Sequence, residues 1–568
     1  MLAVACGPDD PAVTGGGAGG TDTGGTAQTD DGTEPTGGGA SLPGGTAGSG
    51  VTTDAVDDTA GNDDPDPDTG EPEPPPPATG IEIVEVTVDQ GVRVPVARNG
   101  ALVGPGERNA AILQDRPAVL RAFYDTDPGY ETRSIYAVMF VEHTDGTSTT
   151  YESFITTSEP DCEGRTYLYD CRYGSPTGSF VFRLEGEDMR PGTEYRISLF
   201  ETAPGHEDDI SDRSPIFPAG GGSMQIGIEN SYMTMRVVVV PFDHNVGGDC
   251  PDAPDLNEEF GTTVNGDPRT IADYFGERLF AQNPLDEVEI IVHDVVNYTG
   301  NATNGGSLLN TLQQMRFNEG APPGYFYYGV IRPCNGGPEF SGIAQLGGPT
   351  MGQAAQRVGW GVYHANVSTT AETFVHEIGH EQGRPHIACS GGEGVPDPSY
   401  PDHPNGDTEN WGIDVMSNPI TILPPSSHDY MTYCGSTWVS EWGWHLVSPW
   451  IQEISSWELD GPPPPKRPLL VGTVFEDGSS EFYVTEGWWD DSLATEDHTI
   501  RFFEEGHELV AESTAQMVKW ERTEDYNVIV PLPVEMSVVE GLSWHMPGRD
   551  GLIDRESLQV IGDLAATP

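Results

Sequence analysis

Basic residues are scarce in this chain: 26 lysines and arginines stand against 90 aspartates and glutamates, and none of the 26 precedes Arg93. The formal charge of -64 and a sequence pI near 4.1 argue against nucleic acid or an anionic membrane surface as a partner, since both repel such a chain. No run of about eighteen apolar residues occurs, so no segment has the length of apolar helix that crosses a bilayer. Large apolar residues are nearly missing from Gly7 to about Gly80, a stretch of Gly, Thr, Asp and Pro. Such a segment cannot bury enough surface to offset its conformational entropy, so disorder is expected. Its acids repel one another and Pro74 to Pro77 stiffen its end, which makes residues 1–80 read as an acidic tether.

Beyond the tether, the length leaves room for about three domains. Residues 81–220 read as a β-sandwich, with strand-like runs at Ala118 to Tyr124, Ile135 to Val141 and Glu194 to Phe200 separated by Gly- or Pro-bearing turns. No set of residues there carries chemistry. Residues 224–460 alternate between the two periods. Strands are expected at Met235 to Pro241, Glu287 to His293 and Tyr325 to Ile331, and helices at Arg269 to Ala281 and Ser307 to Asn318. Pro462 to Pro465 forms a polyproline spacer. Residues 468–568 carry runs at Leu469 to Phe475, Glu481 to Thr485, Thr499 to Phe503 and Asn527 to Leu532, which suggest a small β domain.

The densest chemistry lies in HEIGHEQGRPH, His376 to His386. Thr369 and Glu372 make a capping-box pattern, so a helix is expected from about Thr370 to Gln382. His376 and His380 then lie on one face, separated by about 6 Å of rise, and both rings can reach one ion. Gly383 suits a left-handed cap and Pro385 forbids continuation, which lets His386 return as a third nitrogen ligand. Three imidazoles leave a fourth position of a metal for water, the pattern of a catalytic rather than a structural site. Glu377 is placed to take that water's proton while the metal lowers its pKa toward about 7.

His-Glu-x-x-His-x-x-Gly-x-x-His resembles the long zinc consensus of the metzincin metallopeptidases, and HDYMTYCG downstream resembles their methionine turn, with Met431 as its methionine. The resemblance covers about Met235 to Trp450. It implies Zn2+ as cofactor and peptide-bond hydrolysis as activity. It also implies a multi-domain fold class, an α/β metzincin-like catalytic domain flanked by the N-terminal β-sandwich and the small C-terminal β domain. Tyr433 matches a tyrosine that astacin-like and serralysin-like members place near the zinc, which implies a role in oxyanion stabilisation; a buried tyrosine satisfied by backbone is the alternative. Gly342 to Gly348 occupies the place of the family's antiparallel edge strand, which implies that Gly342 and Ala344 orient the substrate. A plain interior strand is the alternative. YPDHPNGDTENWGID and CGSTWVSEWGW resemble segments of secreted bacterial members, some of which degrade glycoproteins, so protein or glycoprotein substrates are expected.

Seven cysteines point to an oxidising, extracytoplasmic compartment. Setting Cys6 aside leaves Cys162, Cys171, Cys250, Cys334, Cys389 and Cys434, which allow fifteen pairings. A Cys389–Cys434 bond would pin the zinc loop to the methionine turn. Cys162 with Cys171 would close a local loop, leaving Cys250 with Cys334. Leu2 to Cys6 resembles the end of a bacterial lipoprotein signal, which implies a lipid on Cys6 as the membrane contact; a spare thiol is the alternative. GGDCPDAPDLNEE, residues 247–259, could hold a structural Ca2+ or form a solvated acidic surface. Trp488 and Trp489 could stack on a sugar or pack into a turn. Two functions are thus expected to compete: a surface-tethered zinc endopeptidase, and an adhesion lipoprotein whose β domains bind glycans or proteins around a metallopeptidase scaffold.

Overall fold

A mixed sheet positions the motif. Its parallel part holds β1 (Thr234–His244) between β2 (Glu287–Val292) and β3 (Phe326–Ile331). Strand β4 (Gly342–Gln345) joins it antiparallel through β5 (Val358–Val362), with Gly342 opposite Gly361 and Ala344 opposite Gly359. The computed structural model describes residues 3–6, 41–42, 75–159, 171–175, 177–206, 209–334, 337–389, 396–459, 461–519 and 525–561. Most of the expected tether therefore lies outside the described residues, as does Cys162.

The continuous apolar run of β1 follows from cover on both faces. Val237 and Val239 join one core with Phe275 and Leu279 of α1 (Ile271–Gln282) and Phe374 and Ile378 of α3 (Val367–Glu381). Val238 and Val240, one residue out of phase, join a second core with Leu308, Leu309 and Leu312 of α2 (Gly306–Asn318). Phe275 stacks on Phe374 at 4.9 Å, which fixes α1 against the motif-bearing helix. A fourth helix, α4 (Glu441–Ser456), was not foreseen in the sequence; it starts where the Ser440 hydroxyl accepts from the Gly443 amide.

The expected fold class is corrected by the distribution of structure. Among the described residues strand accounts for 39% and helix for 18%, and the strands are dealt among seven sheets, so the molecule is a mostly-β assembly rather than an α/β metzincin-like domain with a sandwich beside it. The excess comes from strands whose outward positions are polar. Ser148–Thr157 reads STTYESFITT and alternates between exposed and buried residues, and Glu508–Lys519, Gly541–Met546 and Arg549–Asp554 were likewise not anticipated. Nor do the two five-stranded sheets near the N-terminus enclose a core of their own. One apolar cluster runs from Ile81 and Val86 through Tyr195 and Phe217 into α1, α3 and α4. Arg116 staples this junction: fully buried, it donates to the carbonyls of Phe280 at 2.7 Å, Leu285 at 2.7 Å and Asn283 at 3.1 Å, at the end of α1.

The C-terminal eight-stranded sheet has its own core around Leu470, Phe502, Val528 and Trp544. It docks on α2 through a buried polar contact, in which the Tyr483 hydroxyl and the Asn527 amide both donate to Gln313 Oε1, at 2.8 and 3.1 Å.

Candidate metal centre

Helix α3 begins earlier than its sequence suggested. Asn366 caps it, its side chain accepting from the Ser368 amide at 3.0 Å, and the expected Thr369 capping box is not formed. Asparagine is a stronger cap than threonine, and the two threonines Thr370 and Thr373 instead satisfy their hydroxyls on the carbonyls four residues back. The far end is as expected. Gly383 takes φ +83°, the Gly383 amide donates to the His380 carbonyl at 2.7 Å and the Arg384 amide to Gly379 at 3.0 Å, which together form a Schellman cap. The chain reverses there and carries His386 back beneath the helix.

The three imidazoles converge. His380 Nε2 lies 3.0 Å from His376 Nε2 and 3.2 Å from His386 Nε2, and all three rings are buried. A tetrahedral zinc with nitrogens about 2.0–2.1 Å away holds those nitrogens about 3.3 Å apart. The fit extends to the outer nitrogens: His376 Nδ1 pairs with the Tyr430 carbonyl at 2.7 Å and His380 Nδ1 with the Arg384 carbonyl at 2.6 Å. A carbonyl can only accept, so both Nδ1 atoms carry the proton and both Nε2 lone pairs face the common centre. Lone pairs that close repel one another unless a cation lies between them. Burial, reinforced by the neighbouring His376 and His386, holds His380 well below the usual imidazole range and keeps it neutral, as a ligand must be.

Glu377 is fully buried beside the triad, against β4. A Cβ on Gly342 would come within 2.6 Å of Glu377 Oε1, so the absent side chain of Gly342 is what leaves room for the carboxylate. Ala344 packs against Gly359 on the same strand pair. On its outer side β4 pairs antiparallel with Ala3–Cys6, with Cys6 opposite Gly342 and Val4 opposite Ala344, so it has a strand on each side and is an interior strand of the sheet. Glu381, one turn beyond Glu377, is pushed well above the usual carboxyl range by burial first and by Glu377 second.

Met431 is completely buried under the helix; a Cβ on Gly379 would lie 2.4 Å from its sulfur. Gly379, the residue just before the second histidine, thus permits the turn to pass close to the histidine triad. Tyr433 is half-buried with its ring 4.4 Å from that of His386, and its hydroxyl is 3.4 Å from His386 Nδ1, on the side of the ring away from the triad's centre.

Cys389–Cys434 and Cys250–Cys334 are both bonded, tying the loop after His386 to the turn after Met431 and residues 247–259 to the segment after β3. Cys171 is also disulfide-bonded, but its expected partner Cys162 lies outside the described residues. Among the described residues, no three acids of 247–259 bring carboxylate oxygens within 4.8 Å of one another; the loop is held by its disulfide and by Arg332, which donates to the carbonyls of Asp252 and Ala253. Trp488 and Trp489 are each topped by a cation, Lys466 and Arg467, and donate to Pro464 and Asp491.

Residues that the motif did not single out complete the site. The Tyr430 and Arg384 carbonyls have no sequence signature, because any residue supplies a carbonyl. Asp429, two residues before Met431 and fully buried, was visible only as one acid among 90. No protein-family model matches the chain, and no curated protein matches it. The histidine triad could hold a metal ion, and by itself does not establish membership of the metzincins.

Proposed function

We propose that this protein is a zinc-dependent endopeptidase acting on protein or glycoprotein substrates outside the cytoplasm, as its likeness to the metzincins implies. The observation that carries this reading is the buried convergence of three imidazole nitrogens beside a buried carboxylate, Glu377. His376, His380 and His386 would hold the ion. Bound there, zinc supplies a Lewis acid that polarises a carbonyl and acidifies water.

The chain's own groups supply the rest. Glu377 accepts the proton of the attacking water and passes it to the departing amine. The substrate lies as an extended strand along β4, its backbone paired with Gly342 and Ala344 in place of Ala3–Cys6, whose antiparallel pairing there supports that placement. The Tyr433 hydroxyl donates to the developing oxyanion after leaving His386 Nδ1. The disulfides accord with an extracytoplasmic protein, and no helix among the described residues is long and apolar enough to cross a membrane. A lipid on Cys6 is the finer form of that localisation and rests on the residues Leu2 to Cys6.

The test is zinc stoichiometry together with cleavage of a protein and glycoprotein panel by wild type and Glu377→Ala. One zinc per chain in both proteins, with cleavage only by wild type, is the expected outcome. A wild type that binds one zinc and cleaves nothing on a broad panel would sink the peptidase reading and favour the binding function of the β sheets.

A further inference from the structure

We infer that the buried ion pair between Arg384 and Asp429 is a positioning device for the metal ligands, an inference that rests on reading the histidine triad as a metal site. The backbone carbonyls that orient His380 and His376 belong to Arg384 and Tyr430. The same two residues are joined through their side chains: the Arg384 guanidinium lies 4.5 Å from the Tyr430 ring and donates from Nη2 to Asp429 Oδ1 at 2.9 Å. One cross-link therefore sets both carbonyls at once.

Asp429 is built for this. Its Oδ1 also accepts the Met431 amide at 2.9 Å, and its Oδ2 accepts the Ser440 amide at 3.1 Å and the Ser440 hydroxyl. Two of those donors bracket Tyr430: the guanidinium on its ring side and the Met431 amide, which belongs to the same peptide unit as the Tyr430 carbonyl. A carboxylate that holds the amide of a peptide unit also fixes the direction of that unit's carbonyl. The side chains of Arg384 and Asp429 are 1% and 0% exposed. Gly443 on α4 makes the space, since a Cβ there would be 2.7 Å from Arg384 Nη2 and 3.0 Å from Asp429 Oδ2.

A wholly buried ion pair is a poor way to gain stability, because well-packed apolar residues of the same volume do as well or better. Apolar residues could not accept the Met431 and Ser440 amides. The Ile387 amide on the Met431 carbonyl, at 3.0 Å, and the Cys389–Cys434 bond already hold the zinc loop against the turn. What the ion pair adds is the direction of the two carbonyls, and so the aim of the two imidazoles. Groups in this position commonly control metal affinity by ten- to a hundredfold.

The test uses the full chain and Asp429→Asn, which keeps the shape and removes the charge. Zinc affinity is read by competition with a chromophoric chelator, ligand geometry by the visible absorption of the Co2+-loaded protein, and folding by near-ultraviolet circular dichroism in chelator. The expected result is about ten- to a hundredfold weaker zinc binding and a changed Co2+ spectrum in a natively folded protein, with a smaller loss in Arg384→Lys, which keeps the charge. Zinc affinity within about twofold of wild type and an unchanged Co2+ spectrum overturn the inference. Should Asp429→Asn not fold, Ser440→Ala decides: it removes one donor from Asp429 Oδ2, and undiminished affinity there overturns the inference equally. A wild type that binds neither zinc nor cobalt overturns the metal reading instead, so the two failures are distinguishable.

Discussion

Replacing Gly342 by alanine tests how tightly the carboxylate of Glu377 is placed. The added methyl would lie 2.6 Å from Glu377 Oε1, 2.8 Å from Glu377 Cγ and 2.8 Å from Thr373 Cγ2. Ordinary contacts between such atoms are about 3.5 Å, so something must move by about 1 Å. The backbone of Gly342 is held in register opposite Gly361, and Thr373 is tied by its hydroxyl to the Thr369 carbonyl at 3.0 Å. The side chain that gives is therefore Glu377. A displacement of about 1 Å in a reacting group can cost about a hundredfold in rate, or about 2.7 kcal/mol of barrier. None of the three atoms the methyl would meet belongs to the histidine triad, so the triad keeps its geometry. The expected outcome is a kcat/KM about a hundredfold lower on any protein the wild type cleaves, with one zinc still bound and unchanged circular dichroism. Turnover within about threefold of wild type in a folded, zinc-loaded variant would refute the reasoning, because the carboxylate would then tolerate a position the geometry denies it.

Tyr433→Phe should lower turnover by about ten- to a thousandfold with zinc affinity unchanged, in line with loss of one oxyanion donor. Zinc titration alongside the kinetics checks this, and weakened zinc binding with turnover intact would assign the hydroxyl to His386 Nδ1 alone. Removing the Cys389–Cys434 bond by a double serine substitution opens a loop with a sequence separation of 45 residues. The chain-entropy model gives a stability loss of about 4 kcal/mol for such a loop. Chemical denaturation measures it, and a loss under about 1 kcal/mol would show that the segment stays ordered without the bond.

Much of the local structure was legible. The helices at Ile271–Gln282 and Gly306–Asn318 and the strands at Thr234–His244, Glu287–Val292 and Phe326–Ile331 lie close to where periodicity put them, because their apolar spacing is set by what each face must bury. The fold class was not legible. Strands such as Ser148–Thr157 place Thr, Glu and Ser outward, and a polar face leaves half the signal of a buried run. The N-terminal sheets looked self-contained because sequence shows which faces are apolar and not what covers them; here one face is covered by the helices that carry and flank the triad.

At the candidate site the division is sharper. By itself the sequence determined that His376 and His380 share a helix face, that the helix stops at Gly383 and that a third imidazole follows at short range, since these depend on local geometry within a few turns of chain. Tertiary structure alone decided that the Arg384 and Tyr430 carbonyls hold the imidazoles, that Asp429 fixes both, and that Gly342 and Gly379 clear space for Glu377 and Met431. The physical reason is that a carbonyl and a missing side chain look alike wherever they occur. Only what packs against them gives them a part in the site.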